Sequence, residues 1–120
     1  MRLMAAAAAF EILVGLILIA TPSLVARVLF GTELASPGAA VGRVAGFALL
    51  ALGAACWPHA ASPDRRAITG LLAYNLLAAV FFFYLGIRHE LVGLLLWPAA
   101  AVHGILSALL ARIFVVSKTI

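Results

Sequence analysis

The chain has 120 residues, of which 67% are hydrophobic and only 10% charged; ordinary soluble domains run to about 45–50% and about 25%. That surplus excludes a water-facing exterior, and the short connections between apolar stretches exclude a separate soluble domain. The net charge of +4 is spread among the ends of those stretches, so it reads as an orientation signal and not as a nucleic-acid surface.

A membrane-spanning helix needs roughly 20 predominantly apolar residues. Four stretches qualify: Met4–Ala20, Ala39–Trp57, Ala67–Leu85 and Leu91–Ile113. The expected fold is all-α, a four-transmembrane-helix antiparallel bundle forming one integral membrane domain over residues 1–120, with a short interfacial helix at about 23–30. Alternating spans place Arg2, Arg65, Arg66, Arg112 and Lys118 on one side. Arg27 and Arg88 fall on the other, with Arg43 near the second boundary. The positive-inside rule then predicts both termini in the cytoplasm.

The first span opens on Ala5–Ala9 and carries Glu11, a residue that argues against a cleaved signal peptide. Pro22, with its effect on Thr21, ends it. Ser23 can cap the stub Leu24–Phe30, which Gly31 stops. Ser36-Pro37-Gly38 is a turn signal ahead of the second span. There Gly42 and Gly46 form a GxxxG pattern, and Gly53 follows; such small residues let helix backbones approach closely in lipid. Packing within the monomer is the expected use of these glycines. Arg43 reads as an anchor at the membrane surface, snorkelling or pairing with Glu90 or Glu33.

Cys56, the lone cysteine, reads as a small apolar side chain. Trp57 suits the aromatic belt. Ser62 as cap, Pro63 at the first helical position and Asp64 in the first turn announce the third span. It ends in Phe81-Phe82-Phe83-Tyr84, and the turn Gly86–Glu90 makes spans three and four antiparallel neighbours. Pro98, within the fourth span, predicts a kink with a freed carbonyl near Leu94.

A rise of ~1.5 Å per residue puts Glu11 about 10–12 Å from the cytoplasmic end of its span. Asn75, beside Tyr74, and His103 come out at much the same height. Small residues flank each: Ala7, Ala8 and Gly15 for Glu11; Ala78 and Ala79 for Asn75; Ala99 and Ser107 for His103. Polar groups ringed by small residues face other helices rather than lipid. The expected site is a buried cluster of Glu11, His103 and Asn75 with Tyr74 or Ser107 as outer members. A carboxyl and an imidazole in one buried cluster suit a proton relay or a handle for a polar ligand group, and equally a structural clasp. No catalytic set and no metal-ligand spacing is readable; His59, His89 and His103 lie at different depths or on opposite sides, so no cofactor is expected.

Pro22 through Gly31, followed by Arg43-Val44-Ala45-Gly46 and Leu52-Gly53, resembles the DoxX-like group of small four-span bacterial membrane proteins. Tyr74-Asn75 and Trp97-Pro98 with His103 are similar to a subset of that group. The resemblance implies the four-span fold and a bacterial inner membrane. Some members are linked to quinone-coupled redox complexes, but this sequence has no residue that would carry that link. The glutamate in the first of four spans is also similar to that of small multidrug transporters. The expected role is therefore an accessory subunit or a binder of a small lipophilic ligand within the bundle. A proton-coupled transporter acting through Glu11 as an oligomer is the alternative, and a quinone-linked redox subunit the third reading. The bilayer is the expected partner, with room for a homo-oligomer or larger membrane complex.

Overall fold

The computed structural model describes residues 1–59 and 64–117. The described residues form five helices: α1 (Arg2–Ala20), α2 (Pro22–Phe30), α3 (Ser36–Ala55), α4 (Arg65–Arg88) and α5 (Leu96–Val116). All but α2 are long and apolar enough to cross a membrane, reaching about 28–36 Å at ~1.5 Å per residue. Large apolar side chains point outward: Leu77 is 70% exposed and Ile105 60%, whereas Glu11 and Asn75 are fully buried. Polar inside and apolar outside is the inversion that hydrocarbon solvent demands, and this is a multi-pass membrane protein.

The helices form two tight pairs, α1 with α3 and α4 with α5, joined by thinner contacts. In the first pair the backbones nearly touch. A Cβ on Gly46 would lie 2.7 Å from the Gly15 carbonyl oxygen, and one on Gly53 would lie 2.6 Å from that of Ala8. Ile12 and Ile19 of α1 pack over these glycines. The seam therefore uses Gly46 and Gly53, two turns apart, together with Gly15. Gly42 does not share it; its missing side chain faces the Pro22 ring at 3.0 Å, in the corner between α1 and α2. In the second pair the Trp97 ring lies against Gly86, and the Arg65 guanidinium lies 4.2 Å from the centre of the Phe114 ring at the opposite end.

Several local expectations are corrected. Pro22 opens α2 as its first residue with Thr21 as cap residue, so Ser23 sits inside the helix and caps nothing. Asp64 is the cap of α4, its side chain accepting from the Arg66 N–H at 2.9 Å, and does not sit in the first turn. Ser62 and Pro63 lie outside the described residues, as does Lys118. The fourth span starts at Leu96 rather than Leu91. Pro98 thus falls in the first turn, where no backbone N–H is needed, and the predicted mid-helix kink has no cause.

Residues 89–95 instead run as a strap along the end of α2. His89 turns the chain in the left-handed region at φ 56°. The Gly93 and Leu95 N–H groups then donate to the Leu29 and Val28 carbonyls, each at 2.8 Å. These are carbonyls that the end of a helix leaves without partners, so α2 is tied to α5 through main chain. A Cβ on Gly93 would collide with the Val28 carbonyl oxygen and lie 2.7 Å from the Leu29 carbonyl carbon. Gly93→Ala is expected to lower stability by about 1–3 kcal/mol, read as a lower unfolding midpoint in detergent. Unchanged stability would show that the strap contributes nothing.

Candidate functional site

One half of the bundle holds a buried apolar core. Met4, Ala7, Cys56, Ile68, Leu71 and Leu110 form its core. The half that contains α2 is open, with a cavity of about 820 Å³ between the helix pairs. A chain of polar side chains marks the level at which one half gives way to the other.

Glu11 on α1, Asn75 on α4 and His103 on α5 make up that chain. Asn75 Nδ2 donates to Glu11 Oε1 at 3.0 Å and to the Leu71 carbonyl one turn back at 2.9 Å. Its Oδ1 lies 2.7 Å from His103 Nδ1. Asn75 is therefore the centre, and Glu11 and His103 meet through it rather than directly. Glu11 Oε2 is the one buried side-chain oxygen or nitrogen among the described residues without a hydrogen-bond partner. Three helices are thus joined by side chains in a mostly apolar interior. Ala7 and Ala8 leave the space for this, both fully buried alongside Glu11.

Tyr74 joins through its ring and not its hydroxyl, packing edge-on against the His103 imidazole with centroids 5.8 Å apart. Ser107 is buried but not a member of the chain: its hydroxyl donates to the His103 carbonyl, the bond a helical serine makes one turn back. Sequence reasoning missed two residues. Phe10 and Phe82 flank the same imidazole at centroid distances of 5.6 and 5.5 Å, so three aromatic rings surround His103. Phe82 lies two turns beyond Asn75 on one face of α4, a spacing that gave the available signal.

Arg43 and Glu90 lie apart from each other. The Arg43 Nε donates to the Ile19 carbonyl at 3.2 Å, placing a cation at the end of α1 where the helix dipole favours one. Glu90 pairs with Arg88 at 3.0 Å, and Glu33 pairs with Arg27. The expected pairing of Arg43 with Glu90 or Glu33 does not form. Among the described residues no group of three or more His, Cys, Asp or Glu side chains is placed to hold a metal ion.

The cavity is lined almost wholly by apolar side chains, Val14, Leu18, Val25, Ala45, Leu95 and Val102 among them. Its polar lining is confined to His103 and Tyr74. Neither Glu11 nor Asn75 faces it; they stand behind the imidazole. Fold and site together define a multi-pass membrane protein with an apolar chamber closed at one end by a supported histidine. Comparison with protein-family models, with curated proteins and with solved structures finds no match.

Proposed function

We propose that this protein binds a small lipophilic molecule in the chamber between its two helix pairs. The observation that carries the reading is the chamber itself. Ligand sites are concave and mostly apolar, measure about 300–1,000 Å³, and orient their contents with a few placed polar groups. A chamber of about 820 Å³ ending on His103 and Tyr74 has that composition. The seating of His103 adds to it, because a side chain held by Asn75 and three rings is fixed before any ligand arrives. Loose similarity to the DoxX-like group and the excess of arginine at one face support a bacterial inner membrane with both termini cytoplasmic. The α2 end of the chamber would then face outward. A role as accessory subunit of a larger complex is compatible with this reading.

Native mass spectrometry of the protein purified in mild detergent tests it. The wild type should retain a non-covalent adduct that extracts into organic solvent. Ala99→Trp fills the chamber from its wall and should remove the adduct while leaving the helical signal intact. Identical adducts on both proteins would overturn the proposal.

Proton-coupled transport has one observation in its favour, the buried Glu11 carboxyl with Oε2 unpartnered among the described residues. Its position weighs the other way. Glu11 reaches the chamber only through the Asn75 amide, which passes a hydrogen bond along but is a poor carrier of protons.

A further inference from the structure

Resting on the reading of the chamber as a ligand site, the polar end also specifies what kind of head group it takes. The argument starts at a backbone carbonyl. The Leu71 oxygen can only accept a hydrogen bond, so the Asn75 atom 2.9 Å away must be the amide nitrogen. The same nitrogen faces Glu11 Oε1. With that end of the amide fixed, Oδ1 faces His103 Nδ1 at 2.7 Å. An amide oxygen can only accept, so Nδ1 carries the hydrogen. In the neutral imidazole one ring nitrogen donates and the other accepts, which leaves Nε2 bare.

Nε2 has no hydrogen-bond partner among the described residues, and it is not sealed, because Glu11 Oε2 is the sole sealed side-chain oxygen or nitrogen among those residues without one. His103 lines the chamber, which is where an unsealed nitrogen of that ring can meet a ligand. We infer that the polar end of the chamber is an acceptor site, selecting lipophilic ligands whose head carries a hydroxyl over those whose head offers only carbonyl or ether oxygens. Tyr74 can serve either kind, since a phenol both donates and accepts. The discriminating atom is His103 Nε2. The rings of Phe10, Tyr74 and Phe82 around it favour a flat aromatic head over a branched aliphatic one, because offset and edge-on ring contacts add to the apolar burial.

The test uses the full chain in lipid nanodiscs with ¹⁵N-labelled histidine, the His103 signals being assigned by their loss in His103→Phe. Without ligand, His103 should show a protonated Nδ1 and a bare Nε2. Next, 4-octylphenol is compared with its methyl ether, 4-octylanisole, at equal concentration in the membrane. The phenol should shift the Nε2 resonance and bind about tenfold more tightly, equivalent to about 1.4 kcal/mol, in the range of one neutral hydrogen bond. His103→Phe should bring the two affinities together, while Tyr74→Phe should keep most of the difference.

A hydrogen found on Nε2 would overturn the inference without any ligand being added. So would equal affinities, or a preference that survives His103→Phe and vanishes in Tyr74→Phe. Equal binding of both compounds would leave the chamber standing as a ligand site; binding of neither would remove that reading too.

Discussion

Gly53→Val should prevent normal assembly of the α1–α3 pair, with a loss of about 3 kcal/mol or more. The new Cβ would lie 2.6 Å from the Ala8 carbonyl oxygen and 3.0 Å from the Ile12 nitrogen, both backbone atoms that cannot step aside. Overpacking a close-packed site ordinarily costs about 1–3 kcal/mol, and here relief requires moving a whole helix. In lipid, helices gain little from the hydrophobic effect and depend on close packing, so spreading this seam removes the main source of attraction. Gly104→Ala supplies the control, because nothing lies within 4 Å of its missing Cβ. It should change stability by no more than about 0.5 kcal/mol. Unfolding midpoints followed by circular dichroism in mixed micelles would compare the two, and equal midpoints would refute the seam.

Asn75→Leu should be the most damaging single change in the polar chain. It removes both interhelical contacts at once and leaves Glu11 with neither oxygen partnered and His103 Nδ1 facing leucine. An interhelical hydrogen bond in a membrane averages only about 0.6 kcal/mol. Stranding buried polar groups costs about 1–3 kcal/mol each. The second effect governs here, giving an expected loss of about 2–4 kcal/mol for Asn75→Leu. Glu11→Leu should be milder, since Asn75 Nδ2 keeps the Leu71 carbonyl. Combining Glu11→Leu with Asn75→Leu should restore part of the stability, because removing both partners is easier on a fold than stranding one. Purely additive losses in the double variant would show that Glu11 and Asn75 are not coupled.

The spans were legible in sequence because apolar length is a strong signal, but their ends were not. Leu91 through Leu95 continue the hydrophobic run into Leu96, yet Gly93 and Leu95 spend their N–H groups on α2. Hydropathy cannot distinguish a helical leucine from a strapped one, and that hid the true position of Pro98. The height of Glu11, Asn75 and His103 was readable because helix rise is fixed and each residue is flanked by small neighbours. Their order was not, because which of three groups sits in the middle depends on side-chain reach. Ser107 has the spacing from His103 of a cluster member, but a helical hydroxyl one turn away has the backbone carbonyl as a nearer partner. The chamber left no trace in the sequence. It arises from how far apart two helix pairs stand, and the aromatic run Phe81–Tyr84 masks the one sign that Phe82 turns inward, its two-turn spacing from Asn75.

Each tight pair is built from segments close together along the chain: α1 and α3 are separated only by residues 21–35, which include α2, and α4 and α5 only by the strap. The pairs can therefore form one after the other as the polypeptide enters the membrane, each satisfied before the other exists. What remains for the last stage is to bring together Glu11 from the first pair with Asn75 and His103 from the second, and to lay the Gly93 strap on α2. The chamber comes into being only at that docking, so anything bound inside it would report on the assembled protein and never on its halves.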